Sequence, residues 1–211
     1  MPLEVGRRLV VRPSFVEAPV GAMGRLELVI DPGQAFGTGH HASTRLALEC
    51  MADERSAWDA SQRVLDVGTG TGVLAMAAVR LGAGRATGLD LDPLSPPDAL
   101  RWSRVNGLAD RCDWLLGPVG AVAGARFDWV LANLLRREMM PIAEELARAV
   151  TPGGHLVLSG LLADERDRVV ARFEGLGLVA LPERERRQRD ETGDHWIGLV
   201  MARPATSGPT P

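Results

Sequence analysis

Cysteine is scarce in this 211-residue sequence: there are two, Cys50 and Cys112, and neither sits in a motif. A disulfide framework is therefore excluded as the source of stability, and a reducing, cytoplasmic compartment is expected. Long apolar runs are missing too. No stretch approaches the roughly 20 residues that a helix needs to cross a bilayer. The opening MPLEVGRRLVVRP has no apolar core and no cleavage-like site, so neither a signal peptide nor a membrane partner is expected. Positive charge is not in excess: the formal net charge is -3. No global basic field points to nucleic acid, and direct DNA binding is not expected. Internal repeats are also lacking. Apolar residues at 45% and charged residues at 24% leave one globular domain with a substantial core.

The pattern along the chain alternates. RLVVR (8–12) and RLELVI (25–30) read as two strands of a short extension covering residues 1–30. TRLALECM (44–51) has helical spacing, with Ser43 or Thr44 placed to cap it. RVLDVG (63–68) is a strand running into glycine, and VLAMAAVRLGA (73–83) a helix ended by Gly82. RATGLDLD (85–92) is the next strand. DALRWSRVNGL (98–108) is a helix stopped by Asn106-Gly107, starting late because Pro96-Pro97 precede it. CDWLLG is a short strand, and FDWVLANLL (127–135) a buried strand leaving the sheet at Asn133. IAEELARAVTPGG (142–154) reads as a helix stopped by Pro-Gly-Gly, HLVLSGLL as a strand, and DERDRVVARFEGLG (164–177) as a helix. GLVALPERERRQRD and HWIGLVMARP are extended runs joined by ETGD, a hairpin whose ERERRQRD segment reads as a solvated edge. The tail, 204–211, is expected to be disordered.

Strands alternating with helices predict an α/β fold: a doubly wound, Rossmann-like, mostly parallel sheet with a C-terminal antiparallel hairpin strand. Ligands of such sheets sit at the carboxyl ends of the strands, at the topological switch point. That places the chemistry at Gly68–Gly72, Asp90–Asp92 and Asn133–Leu135.

VLDVGTGTGVLA puts Gly68, Gly70 and Gly72 between a strand and a helix, where glycine permits a sharp turn and close ligand approach. The position three residues after Gly70 is Val73, so the pyrophosphate fingerprint is incomplete. There is no GK[ST] and hence no Walker loop. Asp90 follows Gly68 by 22 residues, the place of an acid that accepts from ribose hydroxyls. Asp66, inside the loop, would repel a pyrophosphate but suits an ammonium group. S-adenosyl-L-methionine, with adenosine, an ammonium group, a sulfonium and no phosphate, fits these residues.

VLDVGTGTG, GLDLDP and FDWVLANLL together resemble a class I S-adenosylmethionine-dependent methyltransferase. The segment DPGQAFGTGHHAST (31–44), with ANLL and SGLL, is similar to the PrmA-type ribosomal-protein methyltransferases, over about Ile30 to Arg203. Those enzymes modify amino groups of large-subunit protein eleven. The resemblance implies a methyltransferase domain over 31–203, cofactor contacts from Thr44, Gly68, Asp90 and Asn133, and His41 facing the reacting centre. Phe36 is expected to supply an apolar face that excludes water. With Asp66, Gly70, Gly72 and Leu91, these make the expected cofactor-binding set. Asn133 and His41 are the expected catalytic residues, Asn133 through its side-chain carbonyl. No metal is expected, because His40 and His41 diverge and no further ligand completes a tetrahedral set. "ANLL" lacks the Asn-Pro-Pro-aromatic pattern of amide and adenine-amino methyltransferases.

Two readings stay open for Asp113-Trp114: bordering the adenine, or packing only. Trp58, Trp102, Trp129 and Trp196 are expected to pack. Family members carry a substrate-recruiting domain ahead of the methyltransferase domain. About 30 residues precede Asp31 here, so that domain is expected to be missing. Three functions remain: a protein amino-group methyltransferase, with a large-subunit ribosomal protein as the leading partner; a methyltransferase for a small molecule or another protein; and a non-catalytic cofactor-binding subunit.

Overall fold

A computed structural model describes residues 2–17, 24–31, 41–53, 56 and 58–205. Strands β1 (Leu3–Val5), β2 (Leu9–Arg12) and β3 (Leu26–Val29) form a three-stranded sheet, β1 antiparallel to β2 and β2 parallel to β3. β1 was not expected from the sequence. Val5, Leu9 and Leu28 are fully buried, in one apolar cluster with helices α1 (Ala42–Met51) and α2 (Val73–Leu81).

The main sheet takes β4 (Arg63–Val67), β5 (Arg85–Asp90), β6 (Cys112–Leu116), β7 (Phe127–Asn133), β8 (Val150–Leu162), β9 (Val179–Ala180), β10 (Arg186–Arg189) and β11 (His195–Ala202). Its order is β10-β11-β8-β7-β4-β5-β6, with β9 paired to β11. β4 to β8 are mutually parallel where they pair, and β11 runs antiparallel to β8 and to β10. The expected mostly parallel sheet and closing hairpin are what is found. The chain winds outward from β4 through β5 to β6, then returns to the other side of β4 at β7. The switch point therefore lies between β4 and β7.

Helices α3 (Ser95–Val105), α4 (Arg136–Met139), α5 (Ala143–Ala149) and α6 (Arg166–Glu174) complete the described elements. α1, α2 and the small sheet cover one face of the main sheet; Leu146, Val169 and Phe173 of α5 and α6 bury the other. The sheet is thus sealed on both faces, and its carboxyl edge is where a ligand can enter.

Four boundaries differ from the sequence reading. α3 starts at Ser95, not at 98, because prolines in a first turn need no N–H partner and fit its fixed φ. α5 ends at Ala149, and the Pro-Gly-Gly lies inside β8, where Gly153 takes φ 81° and donates to the Arg203 carbonyl at 2.9 Å. α1 is capped by His41, whose Nδ1 accepts from the Ser43 amide at 3.2 Å. The run before the hairpin is broken into β9, a 3-10 turn over Pro182–Arg184, and β10. The tail from residue 206 lies outside the described residues.

Candidate active site

The glycine loop follows β4. Gly68, Gly70 and Gly72 have φ of 71°, 53° and 79°, the left-handed region that suits glycine alone. Space is limiting as well: a Cβ on Gly68 would collide with Leu134, and one on Gly72 would fall 2.5 Å from the Trp114 ring. Asp90, at the end of β5, accepts from the Gly70 amide at 2.8 Å and from the Asp92 amide at 3.0 Å, one bond on each carboxylate oxygen. It fixes the loop and still has lone pairs for other donors.

Two lobes open around this carboxylate, each about 420 Å³, sharing Gly68, Asp90, Asp92, Leu134 and Glu138. One lobe is polar, reached by His41, Ser43, Ser95, Asn133, Gly160 and Trp196. The other is apolar, with Leu89, Leu91, Pro118, Val119 and Ile142. Their linings contain three carboxylates and, among the described residues, no arginine. The cleft thus suits a ligand with an apolar ring in one lobe, polar groups in the other, and hydroxyls or positive charge beside the carboxylates that the lobes share.

Asn133 ends β7. Its Nδ2 donates to Thr44 Oγ1 at 3.2 Å, while its Oδ1 is buried with no partner among the described residues. A buried, unsatisfied carbonyl is costly, and an incoming N–H donor would relieve it. Thr44 is fully buried and reaches the cleft through Asn133. Ser159 Oγ donates to the Ser43 carbonyl at 2.8 Å, which ties the start of α1 to β8. His41 Nδ1 lies 2.8 Å from Ser43 Oγ, and its ring meets Trp196 edge-on, with centroids 4.7 Å apart.

Asp66 behaves differently from the sequence reading. It is not among the residues lining the cleft. Its Oδ2 accepts from Thr69 Oγ1 at 2.7 Å and from the Ala75 amide at 3.2 Å, bracing the loop against α2 from below. Burial pushes its carboxyl up to about 7, against those two hydrogen bonds and with some help from the Asp90 charge. Leu91 is largely exposed at the mouth of the apolar lobe. Phe36 and His40 lie outside the described residues. Gly72 and Thr44 do not line either lobe; Gly72 starts α2 against Trp114.

Trp114 packs into the gaps left by Gly72 and Gly88, and Asp113 pairs with Arg85 at 2.6 Å, so the pair packs and does not border the cleft. Trp196 was expected only to pack; it also lines the polar lobe. Gly160 and Glu138 were not singled out either, and Ser43 was read only as a helix cap. SGLL is a detectable signal for Gly160, because a Cβ there would lie 2.5 Å from the Leu134 carbonyl oxygen. No sequence signal marks Trp196 or Glu138. Among the described residues no group of three or more His, Cys, Asp or Glu could hold a metal.

A cavity of about 530 Å³, larger than either lobe alone, lies elsewhere, between Arg7 and Arg8, the far end of α1, and Arg186. It touches no carboxyl end of a parallel strand and none of the residues above. The glycine loop and the unpaired Asn133 carbonyl open onto the two-lobed cleft and not onto this cavity.

The sequence model of the ribosomal protein L11 methyltransferase (PrmA) family matches residues 1–201. The chain belongs to this family. A ribosomal protein L11 methyltransferase of Syntrophotalea carbinolica is 43% identical over 95% of the chain, and that of Pelobacter propionicus 41% identical over 97%. The chain spans 62% and 64% of those two relatives' lengths. A solved ribosomal protein L11 methylase from Lactobacillus delbrueckii subsp. bulgaricus has the same fold, with a TM-score of 0.81 at 24% identity, over 96% of this chain and 98% of that one. An RNA methyltransferase from Salinibacter ruber, solved with S-adenosyl-L-homocysteine, shares the fold more loosely, with a TM-score of 0.52 at 20% identity, over 72% of this chain and 87% of that one.

Proposed function

We propose that this chain transfers a methyl group from S-adenosyl-L-methionine to an amino group, a lysine or an α-amine, of a protein, with ribosomal protein L11 as substrate. Residues 31–203 form the catalytic unit, 1–30 are an extension built onto it, and the cytoplasm is the place of action. The observation that carries the reading is the buried, unpaired Oδ1 of Asn133 in a lobe walled by carboxylates and backed by a family match over residues 1–201.

When bound, the cofactor supplies an electrophilic methyl carbon on a good leaving group. The chain's own residues bind, orient and exclude water. Asp90 is the acceptor for ribose hydroxyls; Leu89, Leu91 and Val119 cover the adenine. Gly68 and Gly70 present backbone at close range. Asn133 Oδ1 accepts an N–H of the substrate amine and aims its lone pair along the line of displacement. The amine must be neutral to attack. Burial beside the cofactor's positive charge lowers its pKa, and His41 or Glu138 can take the released proton.

The test is transfer of labelled methyl from S-adenosyl-L-methionine, with purified large-subunit ribosomal proteins and, separately, a metabolite extract. Every one of the 24 Lys+Arg positions in this chain is arginine, so label on lysine cannot come from its own side chains. Label on L11, lost in Asn133→Ala, is expected. Cofactor binding with no label on L11 contradicts the substrate; label in the extract then favours a small molecule.

A further inference from the structure

The C-terminal hairpin reaches the polar lobe through one side chain, and that side chain is held from outside the cleft. Trp196 stands near the start of β11, its backbone fixed by pairing with Leu162 on β8 and Gln188 on β10. Pairing leaves the direction of the indole open. That direction is set by a hydrogen bond of 2.6 Å from Trp196 Nε1 to Oδ2 of Asp190, the residue that opens the hairpin turn.

The two oxygens of Asp190 divide their work. Oδ1 accepts from Thr192 Oγ1 at 2.7 Å, the Thr192 amide at 3.0 Å and the Asp194 amide at 2.9 Å, which knits the turn. Oδ2 accepts from the indole. Asp190 itself lines neither lobe. The held indole then touches the His41 ring, and His41 caps α1 through Ser43. A continuous path of contacts thus joins the turn at 190–194 to the wall of the lobe that contains Asn133.

We propose that Asp190 is a positioning residue that sets Trp196 as the substrate-side wall of the cleft, so that the hairpin turn selects a primary amine on an apolar stem. This rests on the reading of the cleft given above. An indole beside carboxylates suits that substrate: its face attracts an ammonium and packs against the methylenes behind it. Asp190 touches neither, so any effect it has on the substrate must pass through Trp196.

Three variants separate this role from a role in folding. Asp190→Asn keeps one carbonyl oxygen for the turn and replaces the other by an amide nitrogen, which cannot accept from Nε1. Thr192→Val loosens the turn and leaves the indole bond. Trp196→Phe removes Nε1 altogether. Asp190→Asn is expected to raise KM for L11 and for a short lysine peptide by about tenfold, the scale of one hydrogen bond to a charged group. Its dissociation constant for S-adenosyl-L-methionine should stay within about twofold, as should the KM of Thr192→Val. In a Trp196→Phe background, Asp190→Asn should add nothing, the signature of two residues acting as one. A second readout needs no turnover: the His41 proton resonance, one of four histidines, should lose its ring-current shift in Asp190→Asn and keep it in Thr192→Val. An unchanged KM, an equal rise in the Trp196→Phe background, or an unchanged His41 shift overturns the proposal. If the unaltered protein methylates no amine, the reading of the cleft fails and amine selection with it, while the His41 shift still decides whether Asp190 sets Trp196.

Discussion

At the scale of single residues, Asn133 presents an unpaired Oδ1 to the cleft, and Asp66 lies beneath the glycine loop. Asn133→Ala removes the acceptor and the Thr44 bond at once. Methyl transfer should fall by about 100-fold or more, the usual loss of one positioned polar group. Stability should fall by only about 1 kcal/mol for the lost bond, read from urea melts. A large loss of stability with little loss of rate would make Asn133 a structural cap instead. Asp66 makes a different prediction. Its carboxyl lies near 7 in the fold, above the ordinary 3.8. The folded protein therefore binds the extra proton, and the stability tied to the neutral form is complete below 3.8 and lost as pH rises through about 7. Asp66→Asn is permanently neutral. Its melting temperature relative to the unaltered protein should rise between pH 5.5 and pH 8; a pH-independent difference would show that Asp66 stays ionised.

At the scale of elements, the glycine loop and the aromatic stack at the opposite edge of the sheet set stability. Gly72→Ala places a side chain at φ 79°, against the Trp114 ring and 3.1 Å from Ala99. The left-handed strain and the overpacking together should cost about 2–4 kcal/mol, measured by urea denaturation; a cost below about 1 kcal/mol would mean that Trp114 moves freely. Across β7 and β8, Trp129 stacks between Trp58, at 4.4 Å, and His155, at 4.5 Å. Burial, with the nearby Arg184 charge, pulls His155 down to about 4. A histidine held neutral contributes stability that is complete above its unfolded value of 6.5 and lost as pH falls toward 4. His155→Phe should keep the stack and flatten that acid limb relative to the unaltered protein, in thermal melts from pH 7 to pH 4.5; parallel curves would contradict the assignment.

Elements also show what the sequence could and could not reveal. Asp90 and Asn133 were legible because each ends a strand and Gly68 because it directly follows one, and the apolar run that makes the strand also marks its end. Trp196 was not, because its strand runs antiparallel to the others, so its place at the cleft follows from the start of β11 and not from a strand end. Glu138 stands on a four-residue helix too short to have a period. Asp66 was legible as a residue, and only the packing adds that Thr69 and Ala75 donate to its Oδ2. Pro96-Pro97 and Pro152-Gly153-Gly154 were read as breaks, yet the first pair starts a helix and the second lies within a strand, because neighbours supply what each lacks.

At the scale of the whole molecule, the two-lobed cleft opens at the carboxyl ends of the strands, while the cavity of about 530 Å³ beside Arg7, larger than either lobe alone, touches no strand end. The cofactor is expected in the two-lobed cleft around Asp90, where the switch point of the sheet lies. The most direct measurement is a calorimetric titration of S-adenosyl-L-methionine into the unaltered protein, Asp90→Ala and Arg7→Ala. The expected result is binding of one cofactor per chain, weakened at least about tenfold by Asp90→Ala, the cost of losing hydrogen bonds to a charged acceptor, and unchanged by Arg7→Ala. Binding that ignores Asp90 and fails in Arg7→Ala, or no binding at all, would contradict it.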